Sequence, residues 1–441
     1  MIKRKLLLSA LPFMAMGTLV SLTACSKSYD LVIYNWEDYI FEGDKDAKGT
    51  VKAFEEYYSQ IAGKKISVAY ETFSTNEDMY KQLKLGSIKP DLICPSDYMI
   101  QKMANEGMLL PFSYDETKDE YAESLKNWDE YGSPYIRNKF AGEKLKDGSS
   151  FLKYAVPYFW GTMGFTYDAE FMEAHPEIEI DSWECLWSDA PAAKDAFTLK
   201  DSVRDSYVAG IFHVYKDEIA ALDKSAADYN EKLSAIFNRS DADTIAKVEA
   251  ALKEAKSKTV RGLEVDEGKN DIVTDKDLKA NLAWSGDSVF SMDSAEGKRT
   301  LNYSLPKEGS NVWFDGWCMP SKARKDIAEA FVNFICSPEK AAECMDAVGY
   351  TSPIVGEEMW ELVNDWYAAE DGVEADEVDL SFYFGDSIEG EAKISIAKEE
   401  RGRQFDAQYP TEDVLLNCCV MKDFGDDQTA IDAMWVRVSA A

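Results

Sequence analysis

The sequence predicts an α/β fold with a mostly parallel sheet and helices on both of its faces. In residues 31–107, short β-branched and aromatic segments alternate with segments of helical periodicity, in the order strand, helix, strand, helix, strand, helix. Such alternation is typical of parallel sheets, because each crossover between parallel strands needs a helix. A second α/β stretch runs to about residue 312, and the length of 441 residues predicts two or three domains.

Three strands and three helices account for this first stretch. The predicted strands are 31–34, 66–70 and 91–94, and the predicted helices are 50–60, 76–84 and one from the Pro95-Ser96-Asp97 turn to Asn105. That turn supplies a helix cap, and Gly107 ends the helix. Ligands of such sheets bind beyond the carboxyl ends of the strands, where Trp36 and Ser96 both fall.

Beyond residue 107 the sequence predicts an insertion and a second unit. Residues 113–150 are charged and lack periodicity, which is typical of a surface insertion. Apolar, aromatic segments at 151–167 and 312–319 predict passages into the second unit and back. Further helices are predicted at 322–334, at 430–438 and after the Ser240-Asp241 cap.

The first 25 residues predict a secretory leader that ends in a lipid attachment site. A basic start precedes an apolar run from Leu6 to Leu22, and Thr23-Ala24-Cys25 follows. These features are typical of a cleaved signal peptide and not of a membrane span. We expect residues 1–24 to be removed, residues 25–29 to form a tether, and Cys25 to carry lipid on the extracytoplasmic side of a bacterial membrane. An ordinary signal peptide with a chance cysteine is the alternative.

The composition is strongly acidic. Against 48 Lys and Arg stand 81 Asp and Glu, which gives a formal net charge of −33. Such a charge disfavours nucleic acid and anionic lipid surfaces as partners, because both would repel the protein. It favours cationic partners, although a solvated acidic surface is the commoner origin of surplus carboxylates.

The cysteines and histidines disfavour metal sites and nucleophilic catalysis. Seven cysteines follow Cys25, an odd number without a CxxC pair, and Cys94 lies in an apolar segment typical of a buried free thiol. The two histidines, His175 and His213, lie far apart, which disfavours a zinc site or a Ser-His-Asp triad. We therefore expect no metal and no cofactor.

Aromatic and acidic residues lie beside each other repeatedly, mostly at strand ends. The groups are Trp36 with Asp38 and Tyr39, Asp97 with Tyr98, Asp201 with Asp205, Trp284 with Asp287, and Trp313 with Asp315. Each alone is more often a core anchor beside a helix cap. Together they predict a cleft for an organic cation, because ring faces attract ammonium groups and carboxylates accept their hydrogen bonds. A catalytic carboxylate pair uses the same residue types, so these residues leave both interpretations open.

Motifs throughout the chain carry a family resemblance. They are Tyr34-Asn35-Trp36 with Tyr39, Glu71 to Leu83, Asp91 to Met103, Val156 to Gly161, Ser182 to Trp187, Trp284-Ser285-Gly286, Pro306 to Gly309, Trp313-Phe314-Asp315 and Gly349 to Pro353. In this order they resemble the bacterial spermidine/putrescine-binding proteins, which are the solute receptors of polyamine ABC importers. The resemblance covers essentially the whole chain after the leader.

This resemblance implies the two-lobed periplasmic-binding-protein fold, type II-like, with mixed sheets, flanking helices and a ligand cleft between the lobes. It implies a first lobe of residues 30–165 and 314–367 and a second lobe of residues 166–313 and 368–441. It further implies a monomer, not an enzyme, that delivers putrescine or spermidine to the permease subunits of an importer. The alternatives are a receptor of the same fold for another organic cation and an extracellular carboxylate-dependent hydrolase.

The family's ligand contacts correspond to eleven positions of this chain. They are Trp36, Asp38, Tyr39, Ser96, Tyr98, Asp201, Asp205, Trp284, Trp313, Asp315 and Tyr350. Ser96 has a helix cap as its alternative role, and Asp287 matches no site position of the family. Two departures leave the length of the ligand open: Asp205 stands where the family has Glu, and a family Gln falls near Met421.

Overall fold

The computed structural model describes residues 28–115, 117, 118, 120, 121, 123–265 and 267–441. The predicted leader, Cys25 and the start of the predicted tether lie outside the described residues. No helix in the described ranges is long and apolar enough to cross a membrane.

Short strands and helices alternate along the chain. The strands are β1 (Leu31–Trp36), β2 (Val68–Phe73), β3 (Leu92–Ile93), β4 (Leu109–Leu110), β5 (Tyr114–Asp115), β6 (Glu120–Tyr121), β7 (Val156–Asp168), β8 (Phe197–Lys200), β9 (Val260–Glu264), β10 (Ala280–Trp284), β11 (Leu301–Ser304), β12 (Ser310–Trp317), β13 (Met319–Pro320), β14 (Ala375–Asp379), β15 (Lys393–Ala397) and β16 (Cys418–Cys419). The helices are α1 (Thr50–Ala62), α2 (Asn76–Leu85), α3 (Asp97–Asn105), α4 (Lys126–Tyr131), α5 (Pro134–Ala141), α6 (Ala169–Ala174), α7 (Val203–Val214), α8 (Lys216–Ala220), α9 (Tyr229–Phe237), α10 (Ala242–Lys258), α11 (Gly268–Thr274), α12 (Ser285–Ala295), α13 (Lys325–Ile335), α14 (Pro338–Val348), α15 (Glu357–Tyr367), α16 (Ser381–Phe384), α17 (Gln404–Gln408), α18 (Glu412–Leu415) and α19 (Gln428–Ser439).

The first sheet has the parallel order that the strand–helix alternation predicts. Strand β1 lies between β2 and β3, with Leu31 opposite Val68 and Ile33 opposite Leu92. Alternate residues of β1 are buried, because successive side chains of a strand point to opposite faces. The carboxyl ends of β1 and β3 therefore present the following loops, which carry Tyr39 and Ser96, at one edge of the sheet.

The second sheet is mixed, in agreement with the mixed sheets that the resemblance implies. Its order is β16-β12-β7-β10-β8-β9, and β11 also pairs with β7. Strand β8 runs parallel to β9 and β10, whereas β7 is antiparallel to β10, β11 and β12. Strands β7 and β12 are the two predicted passages, and they pair with each other from Val312 opposite Thr162 to Trp317 opposite Val156.

Two large hydrophobic cores lie at opposite ends of these passage strands. The first core contains buried side chains from residues 31–160 and 312–420, and the second contains those from residues 163–282 and 419–438. We call the elements around each core the first and the second lobe. A smaller third core packs α11 and α12 against β11.

One segment packs differently from the prediction, and the packing of a second bears on the predicted lobe boundaries. Residues 113–150 are not merely a surface insertion, because Trp128, Ile136 and Phe140 are fully buried in the first core. The predicted lobe boundaries stay predictions, but packing argues for a later boundary than residue 368. Most buried apolar side chains from 378 to 415 belong to the first core, whereas Ala407 belongs to the third core, and side chains of the C-terminal part join the second core from Cys419 onward.

Candidate functional site

Asp315 is the buried carboxylate around which the site is built. It lies on β12, between Phe314 and Trp317 of the first core, and it is 6% exposed. The Tyr39 hydroxyl donates a 2.8 Å hydrogen bond to Oδ2, and the Ser96 hydroxyl donates a 2.6 Å hydrogen bond to Oδ1. Burial raises the pKa of Asp315 to about 6, and the two hydrogen bonds limit this rise because they stabilise the charged form. Within the described residues, no lysine or arginine forms an ion pair with this carboxylate.

Asn76 holds Ser96 and Tyr98 in place. Its amide Nδ2 donates to Ser96 Oγ at 3.1 Å and to Tyr98 Oη at 3.0 Å, and its Oδ1 accepts the Ser96 backbone N–H. Ser96 occupies the N-cap position of α3, but its side chain makes no capping hydrogen bond. The Ser96 side chain is committed to Asp315, so its role is not only that of a helix cap.

Three aromatic rings form a wall beside Asp315. The Tyr350 ring meets Tyr39 at 5.5 Å and Trp313 at 5.6 Å, both edge to face. Two glycines permit this packing, because an added Cβ at Gly286 would lie 2.5 Å from the Tyr350 ring and one at Gly161 would lie 2.8 Å from the Trp313 ring. The indole N–H of Trp313 is buried without a hydrogen-bond acceptor.

Tyr350 also connects this wall to a second buried carboxylate, Asp287 on α12. The Tyr350 hydroxyl donates to Asp287 Oδ1 at 2.9 Å, and the ammonium of Lys200 lies 3.3 Å from Oδ2. A second ammonium, from Lys269, lies 3.7 Å from Oδ1. Burial raises the pKa of Asp287, but Lys200 and Lys269 outweigh this effect, so the pKa lies below its usual value.

Lys200 is the last residue of β8 and is 2% exposed. Its Nζ lies 3.8 Å from the centroid of the Trp284 ring and donates to the Val265 carbonyl at 2.9 Å. The indole Nε1–H of the same Trp284 donates to Asp205 Oδ1 at 3.4 Å. Burial raises the pKa of Asp205, against smaller lowering effects of a Ser202 hydrogen bond and of the Lys200 charge.

Arg204 joins the two lobes. It lies on α7 in the second lobe, and its guanidinium lies 3.9 Å from the ring centroid of Tyr98, a residue packed on the first core. The guanidinium also lies 4.3 Å from the ring centroid of Phe424, and its Nη1 donates to the Lys422 carbonyl at 2.8 Å. Such guanidinium–ring stacking is favourable and directional, so this contact holds α3 against α7.

The structure brings most of the predicted site residues together. An unbroken series of contacts joins Ser96, Asp315, Tyr39, Tyr350, Asp287, Lys200, Trp284 and Asp205. Trp313 contacts Tyr350, and Tyr98 shares Asn76 with Ser96. Trp36 is half-buried at the end of β1, with its ring 4.6 Å from Phe73.

Two predicted residues lie apart from this group. Asp38 is exposed in the loop after β1 and has a φ of 52°. Asp201 is also exposed, accepts a 3.2 Å hydrogen bond from Trp435 on α19 and borders a surface hollow beside β9. Successive residues of an extended segment point to opposite sides, so the inward direction of Lys200 turns Asp201 outward.

Three residues of the site were not predicted from the sequence: Asn76, Lys200 and Arg204. Asp287 was predicted only as a member of the acidic and aromatic groups, without a site position of the family. Asn76 and Asp287 lie within or beside the quoted motifs, and each is a polar residue in the first turn of a helix that follows a strand. That position is a signal of a site in open α/β sheets. For Lys200 and Arg204 the only signal was the proximity of Asp201 and Asp205 in sequence.

The donors of this site suit an organic cation better than a metal ion. The group contains carboxylates, hydroxyls and ring faces, which together provide both charge and apolar cover. In the described ranges, no group of three or more His, Cys, Asp or Glu side chains is placed to hold a metal ion. All seven cysteines after Cys25 are buried free thiols, as predicted for Cys94.

Comparisons with known proteins give concordant results. Residues 49–380 match the family model described as bacterial extracellular solute-binding protein. The chain is 27% identical over 371 residues to the putrescine-binding periplasmic protein PotF of Escherichia coli, covering 81% of this chain and 86% of that protein. It is 26% identical over 340 residues to the spermidine/putrescine-binding periplasmic protein of Salmonella typhimurium, covering 76% and 80%. Its fold matches that of a spermidine/putrescine ABC transporter protein of Listeria monocytogenes with a TM-score of 0.61 and 25% identity, covering 92% and 98% of the two chains.

Proposed function

Because this chain belongs to the bacterial extracellular solute-binding proteins, we propose that it is a receptor that binds a polyamine and delivers it to an ABC importer. Relatives that cover most of the chain are putrescine-binding and spermidine/putrescine-binding periplasmic proteins. The strong negative charge agrees with a cationic ligand, because it raises the local concentration of polyamines near the protein.

The observation that carries the proposal is Asp315. It is a buried carboxylate held by two hydroxyl donors beside an aromatic wall, and no basic residue in the described part of the chain forms an ion pair with it. A ligand ammonium placed there completes a charge-assisted hydrogen bond, while the rings of Trp313 and Tyr350 cover its methylene groups. Since the pKa of Asp315 is about 6, the carboxylate is mostly ionised at neutral pH and is ready to accept a cation.

The ligand-contacting set that we propose has nine of the eleven predicted residues. They are Trp36, Tyr39, Ser96, Tyr98, Asp205, Trp284, Trp313, Asp315 and Tyr350. Asn76 and Asp287 join them as positioning residues, because they hold Ser96, Tyr98 and Tyr350 through side-chain hydrogen bonds. Asp38 and Asp201 are left out because both side chains are exposed and lie away from the group.

Binding and release follow from the two-lobed architecture. A ligand between Asp315 and Asp205 contacts both lobes at once, so it favours the closed arrangement by its differential affinity for that state. We propose that the lobes open and close about the passage strands β7 and β12, which pair with each other. We propose that a monomer attached through lipid on Cys25 presents the closed form to permease subunits, and that the ligand leaves chemically unchanged.

Calorimetric titration tests this function. The protein without residues 1–24 and with Ser at position 25 is titrated with putrescine, spermidine, spermine and cadaverine, and the bound ligand is recovered for mass spectrometry. Saturable binding of at least one polyamine and its recovery intact support the proposal. Binding of none of them rejects the polyamine class, and recovery of a cleaved product favours the hydrolase alternative.

A further inference from the structure

The two ends of the candidate cleft differ in charge. At one end, the buried carboxylate of Asp315 accepts hydrogen bonds from the hydroxyls of Tyr39 and Ser96, and no lysine or arginine among the described residues pairs with it. At the other end, Asp287 and Asp205 lie near a buried lysine of the protein itself, Lys200. The receptor therefore carries its own primary ammonium in the half of the cleft that the second lobe provides.

The contacts of Lys200 are of the kind that stabilise a buried ammonium group. Its ammonium lies over the face of the Trp284 ring at 3.8 Å, beside the Asp287 carboxylate at 3.3 Å. A hydrogen bond to the Val265 carbonyl orients it, and only 2% of the residue is exposed. Ring face, carboxylate and carbonyl together satisfy one ammonium, and like charges at contact distance repel strongly where water is excluded.

We infer that Lys200 is a specificity-determining residue whose ammonium fills the second-lobe cation position. This inference rests on the proposed polyamine-binding function and specifies the ligand class. The receptor selects short diamines such as putrescine, which bind through an ammonium at Asp315 and leave the position beside Trp284 and Asp287 to Lys200. It discriminates against spermidine and spermine, because each added ammonium is driven toward Lys200.

The alternative is a purely structural role, in which the ion pair of Lys200 with Asp287 stabilises the packing of β8 against α12. Both roles predict that its removal lowers the melting temperature, since Asp287 loses its nearest cation. Only the specificity role predicts a change in the ratio of the two ligand affinities. The ratio of the dissociation constants for putrescine and spermidine is therefore the informative measurement.

Lys200→Met is the central variant, because methionine keeps most of the aliphatic length and removes the charge. We expect the affinity for spermidine to rise at least tenfold relative to that for putrescine. Lys200→Arg keeps the positive charge and should retain the wild-type preference for putrescine. Lys253→Met removes a lysine from the surface of α10, where it pairs with Glu249, and should leave the ratio within about twofold of the wild type.

A second variant guards against misfolding. If Lys200→Met does not show a cooperative melting transition, the double variant Lys200→Met/Asp287→Asn is titrated instead, because it removes both charges of the pair. The same tenfold relative gain in affinity for spermidine is expected. An unchanged ratio in a folded variant overturns the inference and leaves the proposed function standing. If neither the wild type nor the variants bind any polyamine, both fail, whereas spermidine binding by the Lys200→Met protein alone supports the inference.

Discussion

At the scale of single residues, Asp315 combines features that are rarely found together in a merely structural carboxylate. It is buried, its two oxygens accept from Tyr39 and Ser96, and its pKa is raised to about 6 by burial. A buried negative charge lowers stability in the ligand-free protein, and the ammonium of the proposed ligand would supply the compensating charge. Two predictions follow from this residue.

Asp315→Asn is expected to weaken polyamine binding by about two to three and a half decades, because loss of one partner of a buried charge pair costs roughly 3–5 kcal/mol and each decade is about 1.4 kcal/mol. The free energy of unfolding without ligand at pH 7 should stay level or rise, since the uncompensated charge is gone. Asp201→Asn, an exposed neutralisation, serves as the control and should change the dissociation constant less than twofold. Calorimetry measures the dissociation constants of both variants, and thermal melts measure their stabilities. An equal loss of affinity in both variants would contradict the site geometry.

The affinity for polyamines should fall as the pH is lowered through about 6, by up to tenfold per unit, because the ammonium needs the ionised form of Asp315. The linked stability change has the opposite sign. Since the folded-state pKa of Asp315 lies above its ordinary value of 3.8, the folded protein takes up this proton first, and its contribution to stability rises as the pH falls from 6 toward 4.

Titrations between pH 5 and 8 measure the pH effect on binding, with Asp315→Asn as the reference. The variant should lose most of the pH dependence in this window. A wild-type affinity that is constant from pH 5 to 8 would show that Asp315 is not the cation acceptor.

At the scale of elements, the first turn of α12 and strand β7 are shaped by glycines that admit aromatic rings. Gly286 lies where the Tyr350 ring approaches α12, and Gly161 lies where Trp313 on β12 crosses β7. A glycine inside a helix ordinarily lowers stability by about 1 kcal/mol relative to alanine. At Gly286 we expect the opposite effect, because the Tyr350 ring lies too close to leave room for an alanine methyl group.

Gly286→Ala should therefore destabilise the protein by about 1–3 kcal/mol and weaken ligand binding, because the new methyl group displaces Tyr350 from Trp313 and Asp287. Gly142→Ala is the matched control, since its backbone is helical and an added Cβ lies 3.6 Å or more from its neighbours. That control should leave the free energy of unfolding unchanged or raise it by up to about 1 kcal/mol. Chemical denaturation of both variants makes the comparison, and equal stabilities would mean that the Tyr350 ring yields without penalty.

At the scale of the whole molecule, two cores share one pair of passage strands, and the candidate ligand contacts lie on both sides of them. Tyr39, Ser96 and Tyr350 belong to the first lobe, whereas Asp205 and Trp284 belong to the second. Ligand binding and the relation between the lobes are therefore energetically linked.

Saturating putrescine should reduce the radius of gyration measured by small-angle scattering and raise the melting temperature, because the ligand binds the closed, folded state best. The Asp315→Asn variant is the reference. At the same putrescine concentration, its radius of gyration and its melting temperature should both stay unchanged. A protein that binds putrescine by calorimetry without any decrease in its radius of gyration would argue against closure on binding.

Attachment to the membrane is a separate property of the whole chain. If Cys25 carries lipid, the full-length protein made in bacteria should sediment with membranes, and Cys25→Ser should appear in the soluble extracytoplasmic fraction. Cys94→Ser, at a buried thiol of the first core, is the control and should remain with the membranes. Retention of the Cys25→Ser protein on membranes would reject the lipid anchor.

Much of the fold and part of the site were predictable from consecutive residues. The alternation of strands and helices, the N-cap at Asp241 and the closing helix α19 depend on local periodicity and capping, which the sequence displays directly. The strand-end groups that contain Tyr39 and Ser96 were predictable for the same reason, because the sequence of a strand also shows where its carboxyl end lies.

Only the tertiary structure decided which of these groups meet. Lys200 and Asp287 are 87 positions apart, and Asp287 and Tyr350 are 63 apart, so no local pattern records that they share one cluster. The exposure of Asp201 and the packing of residues 378–415 on the first core are likewise settled by long-range contacts. Side-chain types and spacing indicate what chemistry a chain can offer, but burial and charge pairing depend on three-dimensional neighbours, and these determine which carboxylate remains available for a cation.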